Sequence, residues 1–296
     1  MILSMSLLVF AADNSIYIDQ IGGSSTIDIK QDGAGNKVFG VGDSEGTAAT
    51  FTGDSQTIDI QQTGGSNTLG IDLDTTVVSG VGIDLKYYAT GSNSVASIDV
   101  NGDGQGTASN NSINIQTTGN YADLVFDLLG SGNTFSATSG GGDYNDFNIT
   151  IDADSTTTGL AISGGGNNIT TLNLTNDNAT VDATITGASN TTSITQSGLG
   201  GIGGMDFDLT VNGSGNSVTA SQSDVGDHVM NIGITGSSNT VNATQNGSVG
   251  ASGHNFEISI IGGTNSVTAS QTGAQANDAN INITGSNNTW SLIQSD

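Results

Sequence analysis

The sequence predicts an all-β chain that winds into a β-solenoid of stacked two-strand arches, with about 22–26 residues per coil. Five segments in the C-terminal third open on Asn and reach Gln six positions later, and their first residues lie 26, 23, 26 and 23 positions apart. An alternating apolar run that closes on Gly separates each segment from the next. A repeated strand–turn–strand–turn unit of fixed period is typical of a stacked array. The segments begin at Asn190, Asn216, Asn239, Asn265 and Asn288 and end at Gln196, Gln222, Gln245, Gln271 and Gln294.

The composition narrows the functions that this chain can have. It has 296 residues, with 28 acidic residues against 3 basic ones, and a formal net charge of −25. Nucleic acids and anionic membrane surfaces are bound through clustered Lys and Arg, so we expect neither as a partner. The absence of cysteine excludes disulfides and thiolate metal sites. The alternation of apolar and polar residues, kept through unit after unit, argues against disorder.

Residues 1–12 differ from the rest of the chain because residues 2–10 are almost wholly apolar. This stretch is too short to span a bilayer, so no membrane insertion is expected. Val9 and Ala11 stand at positions −3 and −1 of a signal-peptidase cut after Ala11, although the basic start of a signal is missing. We interpret the segment either as a secretory signal peptide or as an N-terminal docking strand.

The remaining chain divides into three regions by the regularity of its pattern. Residues 13–66 carry tandem repeats, residues 67–166 keep the alternation with irregular spacing, and residues 167–296 return to the regular period. The middle region is therefore predicted to form irregular solenoid coils with insertions. In the first region the repeat positions are held by Asn14, Gln20, Ser25, Gln31, Asn36, Gln56 and Gln62.

The alternation explains why such a chain would coil. Runs such as Ile27, Asp28 and Ile29 place apolar side chains on one face of a strand and polar ones on the other. Gly and Asn at the corners tolerate positive φ, and stacked arches satisfy each other's backbone groups. The repeated Asn and Gln then fall above one another, and we predict a ladder of side-chain amides that bond along the stack.

Both ends of such a rod would be open strand edges, which pair with further copies unless they are blocked. No charged cap stands out at the C-terminus, where the repeat from Asn288 to Gln294 is followed by two residues. We therefore expect the partner to be the protein itself, in a head-to-tail homopolymer.

The pattern resembles the curlin repeat, the unit of bacterial curli amyloid subunits. Ser25, Gln31, Gly33, Gly35 and Asn36 match the fixed positions of the motif Ser-x5-Gln-x-Gly-x-Gly-Asn, and the five C-terminal segments resemble its Asn-x5-Gln half. The resemblance implies a β-solenoid that assembles into extracellular fibres for adhesion and biofilm, with glycan or cell-surface contacts. In the C-terminal units the second strand lacks the family's Gln, so this chain is a variant. Similar repeats occur in bacteriophage proteins, which leaves a virion fibre or appendage as the alternative.

Other chemistry has little support in the sequence. Asp99, Asn101 and Asp103 copy the start of a calcium loop, but Asn110 stands where a bidentate Glu is needed, so a Gly-rich turn is the simpler interpretation. Loose calcium binding by stacked carboxylates stays open, and no other cofactor is expected. His228 and His254 lie one unit apart and are interpreted as corner residues that could stack.

No catalytic residues stand out, because Asp occurs in every coil and no nucleophile motif is present. We therefore expect a structural protein and not an enzyme. A polysaccharide-active enzyme and an ice-binding protein are the weaker alternatives, the latter because no regular Thr column follows the C-terminal units.

Overall fold

The computed structural model describes residues 14–21, 25–33, 35–39, 48–53, 55–74, 82–100, 110–142, 144–164, 169–175, 178–197, 205–224, 228–247, 254–273 and 278–295. Within these ranges every regular element is a β-strand, and no helix is long and apolar enough to cross a membrane. The strands are β1 (Asn14–Tyr17), β2 (Asp19–Ile21), β3 (Thr26–Asp32), β4 (Asn36–Phe39), β5 (Ala49–Thr52), β6 (Thr57–Thr63), β7 (Ser66–Asp74), β8 (Asp84–Thr90), β9 (Asn93–Val100), β10 (Ser112–Thr118), β11 (Tyr121–Ser131), β12 (Thr134–Gly142), β13 (Tyr144–Asp154), β14 (Thr157–Gly164), β15 (Ile169–Thr175), β16 (Thr180–Thr186), β17 (Thr191–Ser197), β18 (Asp206–Asn212), β19 (Ser217–Asp224), β20 (Val229–Thr235), β21 (Thr240–Gly247), β22 (Asn255–Ile261), β23 (Ser266–Thr272), β24 (Asp278–Thr284) and β25 (Thr289–Ser295).

Two parallel sheets share these strands. The first sheet has 14 strands in the order β1-β4-β7-β9-β11-β13-β15-β17-β19-β21-β23-β25, with β2 and β5 extending the positions of β1 and β4. The second sheet has 11 strands and runs from β3 to β24. From β6 onward the chain alternates between the sheets, so each coil contributes one strand to each. This confirms the all-β solenoid that the sequence predicts.

The register follows the repeat. Gln196 pairs with Gln222, Gln222 with Gln245, Gln245 with Gln271 and Gln271 with Gln294 on neighbouring strands of the first sheet. The strands of residues 67–166 join the same two sheets, because their alternation keeps apolar residues inside although the connections differ in length. The division into regions itself stays a prediction.

One narrow core lies between the sheets. Every second residue of each strand points inward, and the buried apolar side chains form one continuous cluster from Ile29 to Ala269. In the second sheet the inward positions of β22 are Phe256, Ile258 and Ile260, which explains why these strands lack the Gln of the repeat. Burial of this length of apolar surface is the main stabilising term of the fold.

The corners depend on glycine. Gly213, Gly236, Gly262 and Gly285 stand above one another with φ between 145° and 153°, a region that disfavours residues with a Cβ. A Cβ at Gly236 would also overlap the carbonyl oxygen of Gly213 in the preceding coil. The corner glycines therefore let the backbones of successive coils approach closely enough to hydrogen-bond.

Candidate functional site

The glutamine file is a row of side-chain amides inside the C-terminal half of the first sheet. It consists of Gln196, Gln222, Gln245, Gln271 and Gln294. In each pair the Nε2 of the later residue donates to the Oε1 of the preceding one at 2.7–2.9 Å. Its first four members are at most 1% exposed. Amides can lie this deep because Gln222, Gln245 and Gln271 each both donate and accept along the stack.

The same Nε2 groups also hold the second sheet. Gln271 Nε2 lies 2.9 Å from the backbone oxygen of Asp278, and Gln222 Nε2 lies 3.0 Å from that of Val229. Both acceptors stand at the start of a second-sheet strand. Gln222, Gln245 and Gln271 therefore each tie their own coil to the preceding one and also join the two sheets across the core.

The asparagine file consists of Asn190, Asn216, Asn239, Asn265 and Asn288, and its bonding differs from the side-chain ladder that the sequence suggests. The backbone N–H of each of the first four donates to the Oδ1 of the next at 3.0–3.1 Å. Amide-to-amide bonds accompany this for two pairs, from Asn239 to Asn265 and from Asn265 to Asn288, at 3.3 and 3.2 Å. The Oδ1 atom thus accepts a hydrogen bond from a corner N–H group that has no partner in the strand ladder.

The N-terminal repeat residues are less uniform. Gln62 donates to Gln31 Oε1 at 2.8 Å, and Asn36 donates to Asn67 Oδ1 at 3.4 Å. Gln56 instead donates to the backbone oxygens of Phe51 and Gly53. Ser25 lies before β3, Asn14 pairs through its backbone with Asn36, and Gln20 stands in β2 beside Phe51. The structure therefore joins Gln31 and Gln62 into a short file and leaves Gln20 outside any glutamine file.

The sequence pattern did not predict the role of Tyr87 in the core, and it left open whether His228 and His254 stack. The Tyr87 hydroxyl is fully buried and donates to Gln62 Oε1 at 2.9 Å, which ends the N-terminal file, and burial raises the pKa of Tyr87. His228 and His254 stack with ring centroids 5.0 Å apart, and each Nδ1 accepts a backbone N–H at 3.3 Å. The alternation of residues from Asp84 to Thr90 places Tyr87 on the inward face of its strand, and this signal could have identified it as a core residue.

We expect Gln271→Leu to destabilise the C-terminal coils although it nearly keeps the side-chain volume. The change removes the donor to Gln245 Oε1 and to the backbone oxygen of Asp278. Buried acceptors left unsatisfied cost about 2–4 kcal/mol together. Urea unfolding followed by circular dichroism measures the loss. Ser266→Ala on the outer face of the same strand is the control, expected within about 0.5 kcal/mol of wild type. Equal stability of both variants would show that the hydrogen bonds of the glutamine file do not stabilise the fold.

Carboxylates line up on the outer face of the first sheet. Asp72, Asp99 and Asp127 are register partners on β7, β9 and β11. Asn101 and Asp103, the other two calcium candidates, lie outside the described residues. In the part of the chain that the structure covers, no group of three His, Cys, Asp or Glu side chains could hold a metal ion. Loose calcium binding therefore stays a prediction.

Crowding of these carboxylates changes their acidity. Partial burial raises the pKa of Asp127, the neighbouring Asp99 and Asp152 raise it further, and a backbone hydrogen bond from Leu128 lowers it. Burial and then Asp146 raise the pKa of Asp123. A raised pKa means that the folded chain binds protons more readily than the unfolded chain. The folded state is therefore favoured as the pH falls from neutral through the raised pKa towards the ordinary carboxylate range.

We expect Asp127→Asn to raise the thermal midpoint at neutral pH, because it removes a charge that burial and Asp99 penalise. The gain should shrink as the pH falls through the raised pKa towards the ordinary carboxylate range, because the wild-type carboxyl then becomes protonated itself. Thermal unfolding at a series of pH values measures it. Thr150→Ala, at the register partner of Asp127 on β13, should show no such pH dependence. A gain that is the same at all pH values would contradict the assignment.

The C-terminal end of the coil exposes the core in cross-section. Ala279, Ile281 and Ile283 of β24 and Trp290 and Leu292 of β25 line an open groove of about 350 Å³. Trp290 is 61% exposed, whereas Val267, its register partner in the preceding coil, is 1% exposed. Among the described residues nothing covers the outer edges of β24 and β25. The last coil thus presents an apolar surface between two open strand edges.

Comparisons with protein-family models, with curated proteins and with solved structures found no match to this chain.

Proposed function

We propose that this protein is the structural subunit of a self-assembling filament of the curli type, built by stacking solenoids end to end. One observation carries the proposal: within the described residues both sheets end in unpaired parallel edges, and the last coil exposes the core. Such edges pair with any strand of matching register. An exposed apolar surface of this kind is typical of an interaction site, and on a strongly acidic chain the partner that fits it is another copy of the same apolar core.

The geometry of the contact favours a polymer over a closed dimer. A join between the last coil of one copy and the first coil of the next uses two different surfaces, and such a heterologous contact repeats without closing. Parallel stacking also continues the asparagine column, because Asn14 and Asn288 occupy the first and last positions of the same column in the first sheet. The filament would therefore be a continuation of the solenoid itself.

The setting of the filament follows from the resemblance to curlin repeats and from the charge. We place it outside the cell, as an adhesive or matrix fibre with a structural and not a catalytic role. The net charge of −25 would keep separate filaments apart at low salt and disfavours nucleic acid as a partner. Divalent cations or acid would relieve this repulsion.

Filament growth tests the proposal directly. The full chain, purified under denaturing conditions and then diluted to micromolar concentration, should form unbranched thioflavin-positive filaments visible by electron microscopy. Growth should accelerate on addition of sonicated filaments, since open ends are the sites of addition. Persistent monomers under these conditions, with or without seeds, would contradict the proposal.

A further inference from the structure

The outer faces of the two sheets differ in charge along the C-terminal coils. On the second sheet, the strands from β16 to β24 carry exposed acidic side chains, namely Asp182, Asp206, Asp208, Glu257 and Asp278. On the first sheet, the strands from β15 to β25 carry no charged side chain at any outward position that the structure describes. A chain with a net charge of −25 therefore keeps one broad area of its surface neutral.

This neutral area is a grid of short polar side chains, which we call the hydroxyl face. It consists of the described outward residues of β15, β17, β19, β21, β23 and β25, all of which are Ser, Thr or Asn except Ile293. In β23 they are Ser266, Thr268, Ser270 and Thr272. The register is unbroken across the six strands, so these side chains stand in columns along the stack. A second surface can approach closely along the whole grid, because its side chains are short.

The chemistry of the hydroxyl face fits a second copy of the same face. A hydroxyl or amide group both donates and accepts hydrogen bonds, so a surface of such groups is complementary to itself. A surface of carboxylates only accepts hydrogen bonds, and two such surfaces repel each other. The hydroxyl face is thus where two copies of this acidic chain can meet without opposing their charges. A contact between the same face on both copies is related by a two-fold axis.

The hydroxyl face is large enough to support a dimer. Neighbouring strands lie about 4.8 Å apart and successive outward residues about 6.7 Å apart, so six strands with four outward positions cover about 29 by 27 Å. Two such faces would bury on the order of 1,500 Å² together, and specific protein interfaces bury about 1,200–2,000 Å². The face therefore needs no further contact to form a stable pair.

The other half of the same outer face decides the direction of the pair. On the first sheet Asp72, Asp99 and Asp127 stand in one column on β7, β9 and β11. If the two solenoid axes ran parallel, these columns would face each other across the contact and repel. Antiparallel axes bring the hydroxyl faces together and leave the two carboxylate columns beyond the contact, at opposite ends of the pair.

We propose that two copies of this protein pair side by side through their hydroxyl faces, with antiparallel solenoid axes. This lateral contact goes beyond the end-to-end stacking proposed above and does not depend on it. Along a filament the hydroxyl faces would alternate with carboxylate columns, so pairing two filaments this way also brings carboxylates together. Lateral pairing of filaments should therefore require acid or divalent cations, whereas pairing of single chains should not.

Sedimentation equilibrium of the unassembled full chain tests the pairing. Leu292→Lys provides the background, because it slows filament growth and its altered side chain points away from the hydroxyl face. We expect dimers at micromolar concentration. Thr244→Asp adds a charge to the middle of the face and should raise the dimer dissociation constant about tenfold or more, because the pair would bury both carboxylates. Thr184→Asp adds the same charge to the outer face of the second sheet and should change it less than about twofold.

A distance measurement tests the direction of the pair. The chain has no cysteine of its own, so Val95→Cys, at an exposed outward position of β9, accepts a single spin label. In an antiparallel pair centred on the hydroxyl face, about eleven strand spacings separate the two labels, which places them about 50 Å apart. In a parallel pair they would lie within roughly 20 Å of each other, since sheets pack about 10 Å apart. Double electron–electron resonance distinguishes the two distances.

The outcomes separate this inference from the proposed filament. A chain that stays monomeric well above micromolar concentration, or equal dissociation constants for Thr244→Asp and Thr184→Asp, would overturn the pairing through the hydroxyl face. A short distance between the labels would refute the antiparallel arrangement. The wild-type chain measured before assembly gives the same readout if Leu292→Lys perturbs the fold. Seeded growth of wild type reports on the filament alone, so its failure would leave the lateral pair standing.

Discussion

Gly236→Ala should be among the most destabilising single substitutions in this protein. The φ of Gly236 is 146°, and a methyl group there would overlap the Gly213 carbonyl oxygen of the preceding coil. The clash is with backbone on a stacked neighbour, so it can be relieved only by separating the coils. We expect a loss on the order of 3 kcal/mol or more. Thermal and urea unfolding of freshly prepared monomer measure the change.

Gly233→Ala is the matched control, three residues earlier in the same coil. Its nearest backbone neighbour, the carbonyl oxygen of Leu209, would lie 3.9 Å from the new methyl group. Replacing a strand glycine that has no positive φ with alanine stabilises the folded protein by about 0.5–1 kcal/mol. Similar stability of Gly236→Ala and Gly233→Ala would show that successive coils are not in the close contact described here.

Leu292→Lys should strongly slow filament growth while the monomer keeps its fold. Leu292 points inward at the exposed end of the core and packs against the coil before it. In a stacked filament the next copy would cover it, and Ile18 would be its neighbour in the same column. Burying an unpaired ammonium there is costly, so we expect elongation to slow by about tenfold or more.

Ser291→Lys changes the net charge equally but points outward on the same strand. Its elongation rate should stay near that of wild type when seeded growth is followed by light scattering. Far-ultraviolet circular dichroism of the unassembled variants checks that both remain folded. If both lysine variants block growth, charge and not the apolar end controls assembly; if neither does, the last coil is not the joint.

The regular coils could be predicted from sequence because three signals agree in them. Asn265, Gln271 and the alternation between them fix the length, the inward face and the neighbours of β23, and the structure places it accordingly. The apolar replacement of Gln in the second sheet could also be read from the sequence, where Ile260 takes the third inward position of β22. Local pattern is sufficient where each unit repeats the spacing of the one before.

Other parts of the site depend on relations that the sequence does not display. That the asparagine oxygen binds a backbone N–H of the preceding coil follows from corner geometry, which Asn265 alone does not specify. Gln20 carries the repeat signature, yet its neighbour Phe51 is apolar, because the register across the long connection before β5 is set by packing. Tyr87 ends a file of amides that only the three-dimensional stack reveals.

An electron cryo-microscopy map of the filaments tests most directly the claim that solenoids continue one another. We expect strands perpendicular to the axis, spaced about 4.8 Å apart, and a subunit repeat of about 58 Å from 12 strand positions. Separate globules joined by linkers, or strands running along the fibre axis, would contradict the claim that the solenoids continue one another.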